Sequence, residues 1–271
     1  MKFNDLFSSP KPLIACIHLL PLPGSPRYGG SMKQIIETAL MEATIFRKFE
    51  VDGLVVENFR DNPFYPEKIP AETIAAMTVV ACEIKKVFQG PVGINALRND
   101  AGAALAIAAA SEVQFIRVNV HIGAAVTDQG IIQGRAHETL RLRKILDPGI
   151  LIFADVAVKH ASSLGNRSIA DETKDISVRA LADAIIVTGS NTGGEANQEE
   201  VKKVKENTKL PVLIGSGITD KNIKGYYGMA DGFIIGSFFK KDGKADNLVD
   251  EQRVHMLTSQ LNMLRKKQAG V

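Results

Sequence analysis

Eight short apolar runs alternate along this chain with segments whose apolar residues recur at helical spacing. The runs are apolar on both parities, which is typical of strands buried on both faces of a parallel sheet. The predicted strands are Leu13–His18, Gly53–Asn58, Pro91–Ala96, Phe115–Val120, Ile150–Val156, Ala184–Thr188, Pro211–Gly215 and Gly232–Gly236. The predicted helices lie near 31–49, 71–88, 99–111, 135–146, 168–182, 197–207, 219–228 and 248–267.

Eight strand–helix units with no spare strand favour a closed (β/α)8 barrel, the TIM-barrel fold. Such barrels use about 250 residues as one domain. The 271 residues therefore predict a single domain over 1–271, with no linker rich in Pro, Gly and Ser. A doubly wound open sheet is the alternative, but no Gly-x-Gly-x-x-Gly follows the first strand.

Composition excludes several classes of protein. The formal charge of +3 is too small to indicate a nucleic-acid-binding protein, and no Lys/Arg stripe is interleaved with aromatic residues. No apolar run is long enough to predict a membrane span or a secretory signal. Cys16 and Cys82 form no disulfide framework or metal motif, so both are expected to be reduced core residues of a cytoplasmic protein.

Two glycine-rich strand ends predict a phosphate site. The stretches are Pro211-Val-Leu-Ile-Gly-Ser-Gly-Ile218 and Ala230-Asp-Gly-Phe-Ile-Ile-Gly-Ser237. Glycine lets backbone N–H groups crowd around an anion, and phosphate-binding barrels build such a site after their seventh and eighth strands. The predicted phosphate-binding residues are Gly215, Ser216, Gly217, Gly236 and Ser237.

Strand parity gathers a second set of residues at the same end of the barrel. The opposite parity is uniformly apolar, whereas one parity carries a polar residue late in each of five strands. These residues are His18, Glu57, Asn95, Arg117, Asn119 and Asp155. Active sites of this fold lie at that end. The alternative is a purely structural network in which Arg117 pairs with Glu57 or Asp155.

Residue chemistry suggests roles for this set and its neighbours. Candidates for acid/base work are Asp155, Glu57, Lys159 and His18, with Lys159 stabilising negative charge. Candidates for substrate binding are Asn95, Arg117, Asn119, His160 and Thr188. No cofactor is expected; Glu57, Asp155, His18 and His121 offer metal-ligating groups without a diagnostic spacing, which keeps a divalent metal as an alternative.

The motifs at the strand ends together resemble the BtpA family over nearly the whole chain. They are His18-Leu-Leu-Pro-Leu-Pro-Gly-Ser-Pro26, Val56-Glu-Asn-Phe-Arg-Asp-Asn-Pro-Phe64, Gly93-Ile-Asn-Ala-Leu-Arg-Asn-Asp100, Ile116-Arg-Val-Asn119, Thr127-Asp-Gln-Gly130 and Ala154-Asp-Val-Ala-Val-Lys-His160. The resemblance implies a TIM barrel. The family's namesake is associated with photosystem I biogenesis in cyanobacteria, and other members occur in organisms without photosystems. One departure is the segment Gly194-Glu-Ala-Asn197, which lacks an expected proline.

The sequence therefore favours an enzyme acting on a small phosphorylated metabolite, either a sugar phosphate or a ribosyl compound derived from a nucleotide. Isomerase, lyase and glycosidic-bond-cleaving reactions all fit the carboxylate chemistry. The alternatives are a non-catalytic assembly factor for a membrane complex, as the resemblance implies, and a metabolite-binding regulator. (β/α)8 barrels are often homo-oligomers, and by analogy this chain is a candidate homo-oligomer.

Overall fold

The chain forms a closed barrel of eight parallel strands in a computed structural model that describes residues 1–157, 161–165, 167–189 and 193–270. The barrel closes by pairing of the first strand with the last. Every position of every barrel strand is buried, which confirms the prediction drawn from the continuous apolar runs. The strands are β1 (Leu13–His18), β2 (Gly53–Glu57), β3 (Val92–Asn95), β4 (Phe115–Val118), β5 (Leu151–Val156), β6 (Ala184–Val187), β7 (Val212–Ile214) and β8 (Gly232–Ile235).

Helices follow the strands and cover the outside of the barrel. The first long one, Met32–Lys48, buries Ile35, Ala39, Ala43 and Phe46 at helical spacing against the sheet. The other helices are Phe3–Leu6, Ala71–Val87, Ala101–Ser111, Ala136–Leu146, Ile169–Lys174, Gln198–Glu206, Ile223–Tyr226 and Glu251–Ala269.

Two predicted helices differ from the observed ones. The segment predicted at 219–228 contains only the single turn Ile223–Tyr226, because Gly225 and Gly228 weaken a helix there. The segment predicted at 168–182 begins as the α-helix Ile169–Lys174 and continues as the π-helical stretch Asp175–Arg179.

A small antiparallel sheet, absent from the predicted elements, extends from the loops after β4 and β5. Its hairpin pairs Ala124–Thr127 with Gly130–Gln133, and the short strand Ser162–Ser163 pairs with the outer side of Ala124–Thr127. Gly130 has a φ of 99°, a left-handed conformation that glycine adopts without strain. The sheet therefore connects two loops at the C-terminal end of the barrel.

Aromatic rings fill the interior at the opposite end. The rings of Phe115 and Phe153 stack at 4.5 Å, and Phe3 from the N-terminal helix approaches Phe153 at 5.6 Å. Gly93 provides the space for this stack, because a Cβ at this position would lie 2.2 Å from the ring of Phe115. Cys16 is buried in this inner core, whereas Cys82 is partly exposed, so only Cys16 fits the expectation of a core cysteine.

Candidate functional site at the barrel mouth

Three adjacent strands deliver the predicted polar residues to one level of the barrel. His18 is in register with Glu57, and Glu57 is in register with Asn95, so the last residues of β1, β2 and β3 are direct neighbours. All three side chains are buried. The strand parity thus brings these residues together at the C-terminal end, as the sequence predicts.

Arg117 lies at the centre of this set and joins two carboxylates. Its Nε and Nη2 donate to the two oxygens of Asp155 at 2.9 and 3.0 Å, and its Nη1 donates to Oε1 of Glu57 at 3.2 Å. Burial alone would lower the pKa of Arg117, but the two carboxylates outweigh it and raise the pKa above its ordinary value. The arginine is a permanent cation, and it holds both carboxylates in fixed positions.

The two asparagines complete the network on either side. Asn95 donates to Oε1 of Glu57 at 3.2 Å, and Asn119 donates to Oδ2 of Asp155 at 3.0 Å. Among the described residues, no hydrogen-bond partner satisfies the buried Oδ1 of Asn119 or the buried Oγ1 of Thr188. A buried oxygen without a hydrogen-bond partner is energetically costly. The amide oxygen of Asn119 and the hydroxyl of Thr188 are therefore both suited to form a hydrogen bond with a ligand.

His18 lies between an aromatic ring and Glu57. Its ring stacks on Phe59 with 4.2 Å between centroids, and its Nδ1 is 3.0 Å from the carbonyl oxygen of Ala245. A carbonyl oxygen only accepts hydrogen bonds, so Nδ1 carries a proton. The Nε2 atom faces Oε2 of Glu57 at 3.9 Å.

The five predicted phosphate-binding residues line one small cavity. They share its walls with His18, Glu57 and Arg117. Gly217 has a φ of 70°, and a Cβ there would lie 2.3 Å from the Cα of Glu195, so glycine is required by both conformation and space. Ser216 instead accepts a hydrogen bond from the amide of Gly189 at 2.6 Å and braces the loop after β6. The backbone amides of Gly217 and Ser237 make no hydrogen bond within the described part of the chain.

A larger cavity of about 480 Å³ shares Glu57 and Arg117 with the small one. Phe59 also lines both cavities. The larger one is bordered further by Asn95, Asn119, Leu97, Arg98, Asn62, Phe64, Asp128 and Gln129. The two cavities therefore form one mouth, with glycine-rich loops on one wall and ionisable groups on the other.

Asp155 and His121 are engaged by hydrogen-bond partners outside the potential metal ligands. Both oxygens of Asp155 are engaged by Arg117, and Nε2 of His121 is 2.9 Å from the carbonyl of Ala180. Among the residues that the structure describes, the group that could hold an ion consists of Cys16, His18 and Glu57. His18 and Glu57 of the four potential ligands named from the sequence belong to this group, whereas Asp155 and His121 do not.

Lys159 and His160, predicted for catalysis and substrate binding, lie outside the described residues. The residues of the mouth without a predicted site role include Cys16, Phe59 and Arg98. Cys16 shares its strand face with His18, a signal visible in the sequence, but its apolar surroundings favoured a core role. Phe59 and Arg98 belong to loops, whose course strand parity does not predict.

The fold defines a (β/α)8 barrel with its candidate site at the C-terminal mouth, and comparison with known sequences specifies the family. The BtpA family model matches residues 9–263, so the chain belongs to the BtpA family. An uncharacterised protein of Pyrococcus furiosus is 46% identical over 96% of this chain and 98% of its own length. The photosystem I biogenesis protein BtpA of Synechocystis is 43% identical over 94% of this chain and 89% of its own length.

Solved structures with the same fold are distant in sequence. A thiamine phosphate pyrophosphorylase from Pyrococcus furiosus aligns with a TM-score of 0.59 at 12% identity, over 96% of this chain and 98% of that one. The phosphoribosylanthranilate isomerase of the same organism gives 0.59 at 16% identity, over 93% of this chain and 99% of its own. These likenesses show the barrel fold. In the described part of the chain, no helix has the length and apolar character needed to cross a bilayer.

Proposed function

We propose that the chain is an enzyme acting on a small phosphorylated metabolite, either a sugar phosphate or a ribosyl compound derived from a nucleotide. One observation carries the proposal: Glu57 and Arg117 line both the cavity of the glycine-rich loops and the larger cavity beside it. A phosphate held by the loops would place the rest of its molecule against the ionisable wall. A cavity of about 480 Å³ suits a small metabolite.

The amides of Gly217 and Ser237 are the proposed phosphate donors, since glycine-rich loops present N–H groups to anions. Neither amide is used by another hydrogen bond of the described residues. Gly215 and Gly236 fit tightly beside the site, because a Cβ would lie 2.5 Å from Ile186 at the first position and 3.2 Å from His18 at the second. Two of the solved structures that share this fold are named for phosphate-bearing compounds, which agrees with the same use of the barrel.

Acid/base work falls to Glu57 and His18 in this proposal. Oε1 of Glu57 is engaged by Arg117 and Asn95, whereas Oε2 faces His18 at the cavity wall. Asp155 was a candidate for the same work, but both of its oxygens are bound by Arg117 and its side chain is fully buried. We therefore assign Asp155 a positioning role: it orients Arg117, which in turn orients Glu57. Lys159 and His160 keep their predicted roles as proposals.

Thermal unfolding tests the binding half of the proposal. The purified chain is melted with a panel of phosphorylated sugars and nucleotides, and a true ligand raises the melting temperature. Binding at a hundredfold excess over the dissociation constant stabilises the native state by about 2.7 kcal/mol. Gly236→Asp should abolish the shift, because a carboxylate would repel the phosphate.

Two variants control this test. Gly236→Ala adds the same Cβ contact with His18, at 3.2 Å, without adding charge. Gly228→Asp adds the same charge at an exposed position where a Cβ meets nothing within 4 Å, and should keep the full shift. A panel in which no phosphate compound shifts the melting temperature, or an unchanged shift in Gly236→Asp, contradicts the phosphate site.

A second candidate function is an assembly role, favoured by the name of the Synechocystis relative. Turnover separates the two candidates and also separates an enzyme from a metabolite-binding regulator. For each ligand found, product formation is followed with the wild type and Glu57→Gln. Turnover that Glu57→Gln abolishes supports the enzyme. Binding without turnover favours a regulator, and absence of both leaves the assembly role.

A further inference from the structure

Three residues with different metal-ligating atoms meet at the floor of the small cavity. Cys16 and His18 are two residues apart on the inner face of β1, and Glu57 is the register partner of His18 on β2. One ligand atom from each lies within 4.8 Å of the other two, and all three residues are buried. Because the three atoms are carried by two paired strands, their arrangement is fixed by the barrel itself.

The histidine is oriented as a ligand would be. Metal-bound histidines usually donate their second ring N–H to a carbonyl or carboxylate, which fixes the tautomer. Here Nδ1 of His18 donates to the carbonyl of Ala245 at 3.0 Å, and stacking on Phe59 holds the ring plane. In the neutral ring, Nε2 then presents its lone pair toward Oε2 of Glu57, at 3.9 Å.

Two of the three ligand groups can carry a negative charge. Arg117 and Asp155 neutralise each other through their doubly hydrogen-bonded pair. Glu57 as a carboxylate and Cys16 as a thiolate then contribute two negative charges, which a divalent cation cancels. Glu57 also accepts one hydrogen bond from Arg117 at 3.2 Å and lies within the electrostatic influence of Arg98.

We propose that Cys16, His18 and Glu57 bind one zinc-like divalent metal ion. A thiolate, an imidazole and a carboxylate together suit zinc better than magnesium or calcium, which prefer oxygen ligands alone. Tetrahedral zinc places its ligand atoms about 3.3–3.6 Å apart. Nε2 of His18 lies 3.9 Å from Oε2 of Glu57, whereas the 4.0 Å separation of Cys16 is from the other oxygen, Oε1. With a single carboxylate oxygen as ligand, the three atoms lie within 4.8 Å of one another, so ion binding contracts the site.

Three protein ligands leave a fourth position open, as in catalytic rather than structural zinc sites. That position faces the small cavity, whose volume is about 30 Å³, enough for water but not for the body of a metabolite. The inference goes beyond the proposed function, since ion binding needs no phosphorylated substrate. If both hold, Glu57 and His18 act on a substrate through a metal-bound water instead of transferring protons themselves.

Cobalt substitution tests the site by a property that only a thiolate ligand gives. The full chain is stripped with a chelator and titrated with Co²⁺, which should bind at one equivalent with a sulfur-to-cobalt charge-transfer band that Zn²⁺ removes. Cys16→Ser should lose the band and weaken binding tenfold or more. Cys82→Ser, which alters the partly exposed second cysteine, should change neither.

Several outcomes overturn the inference. A folded wild-type protein that takes up no stoichiometric Co²⁺, or takes it up without the band, contradicts it, and neither result depends on a variant. A band that survives Cys16→Ser places the ion elsewhere. If Cys16→Ser does not fold, Glu57→Gln replaces it and should weaken binding while keeping the band. Phosphate-dependent thermal shifts are measured separately, so either proposal can fail alone.

Discussion

Lys240 and Glu42 form an ion pair sealed inside the protein. Nζ of Lys240 donates to both oxygens of Glu42, at 2.8 and 2.7 Å, and neither side chain is more than 1% exposed. Glu42 belongs to the helix Met32–Lys48, and Lys240 directly follows the turn Ser237–Phe239. The pair therefore anchors the segment after β8, including Ser237 of the proposed phosphate site, to the first long helix.

Removing the cation of this pair should be strongly destabilising. Lys240→Met leaves the carboxylate of Glu42 buried without its partner, and breaking a buried pair costs about 3–5 kcal/mol. The free energy of unfolding is measured by urea denaturation. Lys48→Met, which breaks the exposed Lys48–Glu251 pair, is the matched control and should cost less than about 1 kcal/mol. Equal losses of unfolding free energy in the two variants would show that the buried pair contributes no more to stability than the exposed one.

Arg117 should matter more for stability than Asp155. Arg117→Met leaves Asp155 and Glu57 without the cation that donates hydrogen bonds to both, whereas Asp155→Asn leaves Arg117 paired with Glu57. We expect the arginine variant to lose about 3 kcal/mol or more and the aspartate variant clearly less. Urea denaturation of both proteins at neutral pH gives the comparison. A larger loss for Asp155→Asn would contradict the central position assigned to Arg117.

The glycine of β3 should be intolerant of a methyl group. In Gly93→Ala the new Cβ would overlap the ring of Phe115, which is itself stacked on Phe153. Overpacking of this kind costs about 1–3 kcal/mol. The melting temperature should fall accordingly, whereas Gly228→Ala, at an exposed site with open space, should leave it nearly unchanged. An unaltered melting temperature for Gly93→Ala would mean that the ring stack shifts at no cost.

The free energy of unfolding should decrease in mild acid because of His121. Burial lowers its pKa below the ordinary value of 6.5, and its Nδ1 has no partner among the described residues. As the pH falls through about 6.5, the unfolded chain therefore binds a proton that the folded chain resists, and the free energy of unfolding decreases. The slope from this group reaches at most about 1.4 kcal/mol per pH unit.

Substitution of His121 tests the assignment of this slope. His121→Gln keeps an N–H donor for the carbonyl of Ala180 but does not titrate. Urea denaturation between about pH 7 and about pH 5.5 should show a flatter dependence in this variant. His137→Gln, at an exposed histidine, is the control and should retain the wild-type slope. An identical slope in His121→Gln would place the acid sensitivity elsewhere.

The sequence predicts the barrel well because burial on both faces leaves a local signature. Continuous apolar runs mark the strands, and a period of two residues places His18, Glu57 and Asn95 on one inner face without knowledge of their neighbours. The glycines at the ends of the last two strands are also visible within a short stretch of sequence. At Gly217, the positive φ and the close approach of Glu195 both require glycine. These features need only the order of residues within one element.

Other features depend on segments that are distant in the chain. The partner of Glu42 is 198 residues away, and no periodicity relates the two. Strand parity places Asp155 near Arg117 but does not reveal that both carboxylate oxygens are engaged, which changes its assignment from acid/base work to positioning. The hairpin at 124–133 has too few apolar residues at regular spacing to stand out from a loop.

The small sheet over the mouth has a consequence for access to the site. Its central strand, Ala124–Thr127, pairs with Gly130–Gln133 of its own loop on one side and with Ser162–Ser163 on the other. Asn99, from the loop after β3, accepts from the amide of Val120 and donates to the carbonyl of Gln133. Hydrogen bonds thus connect three successive loops at the mouth, so that an insertion in any of them would alter the opening through which a metabolite enters.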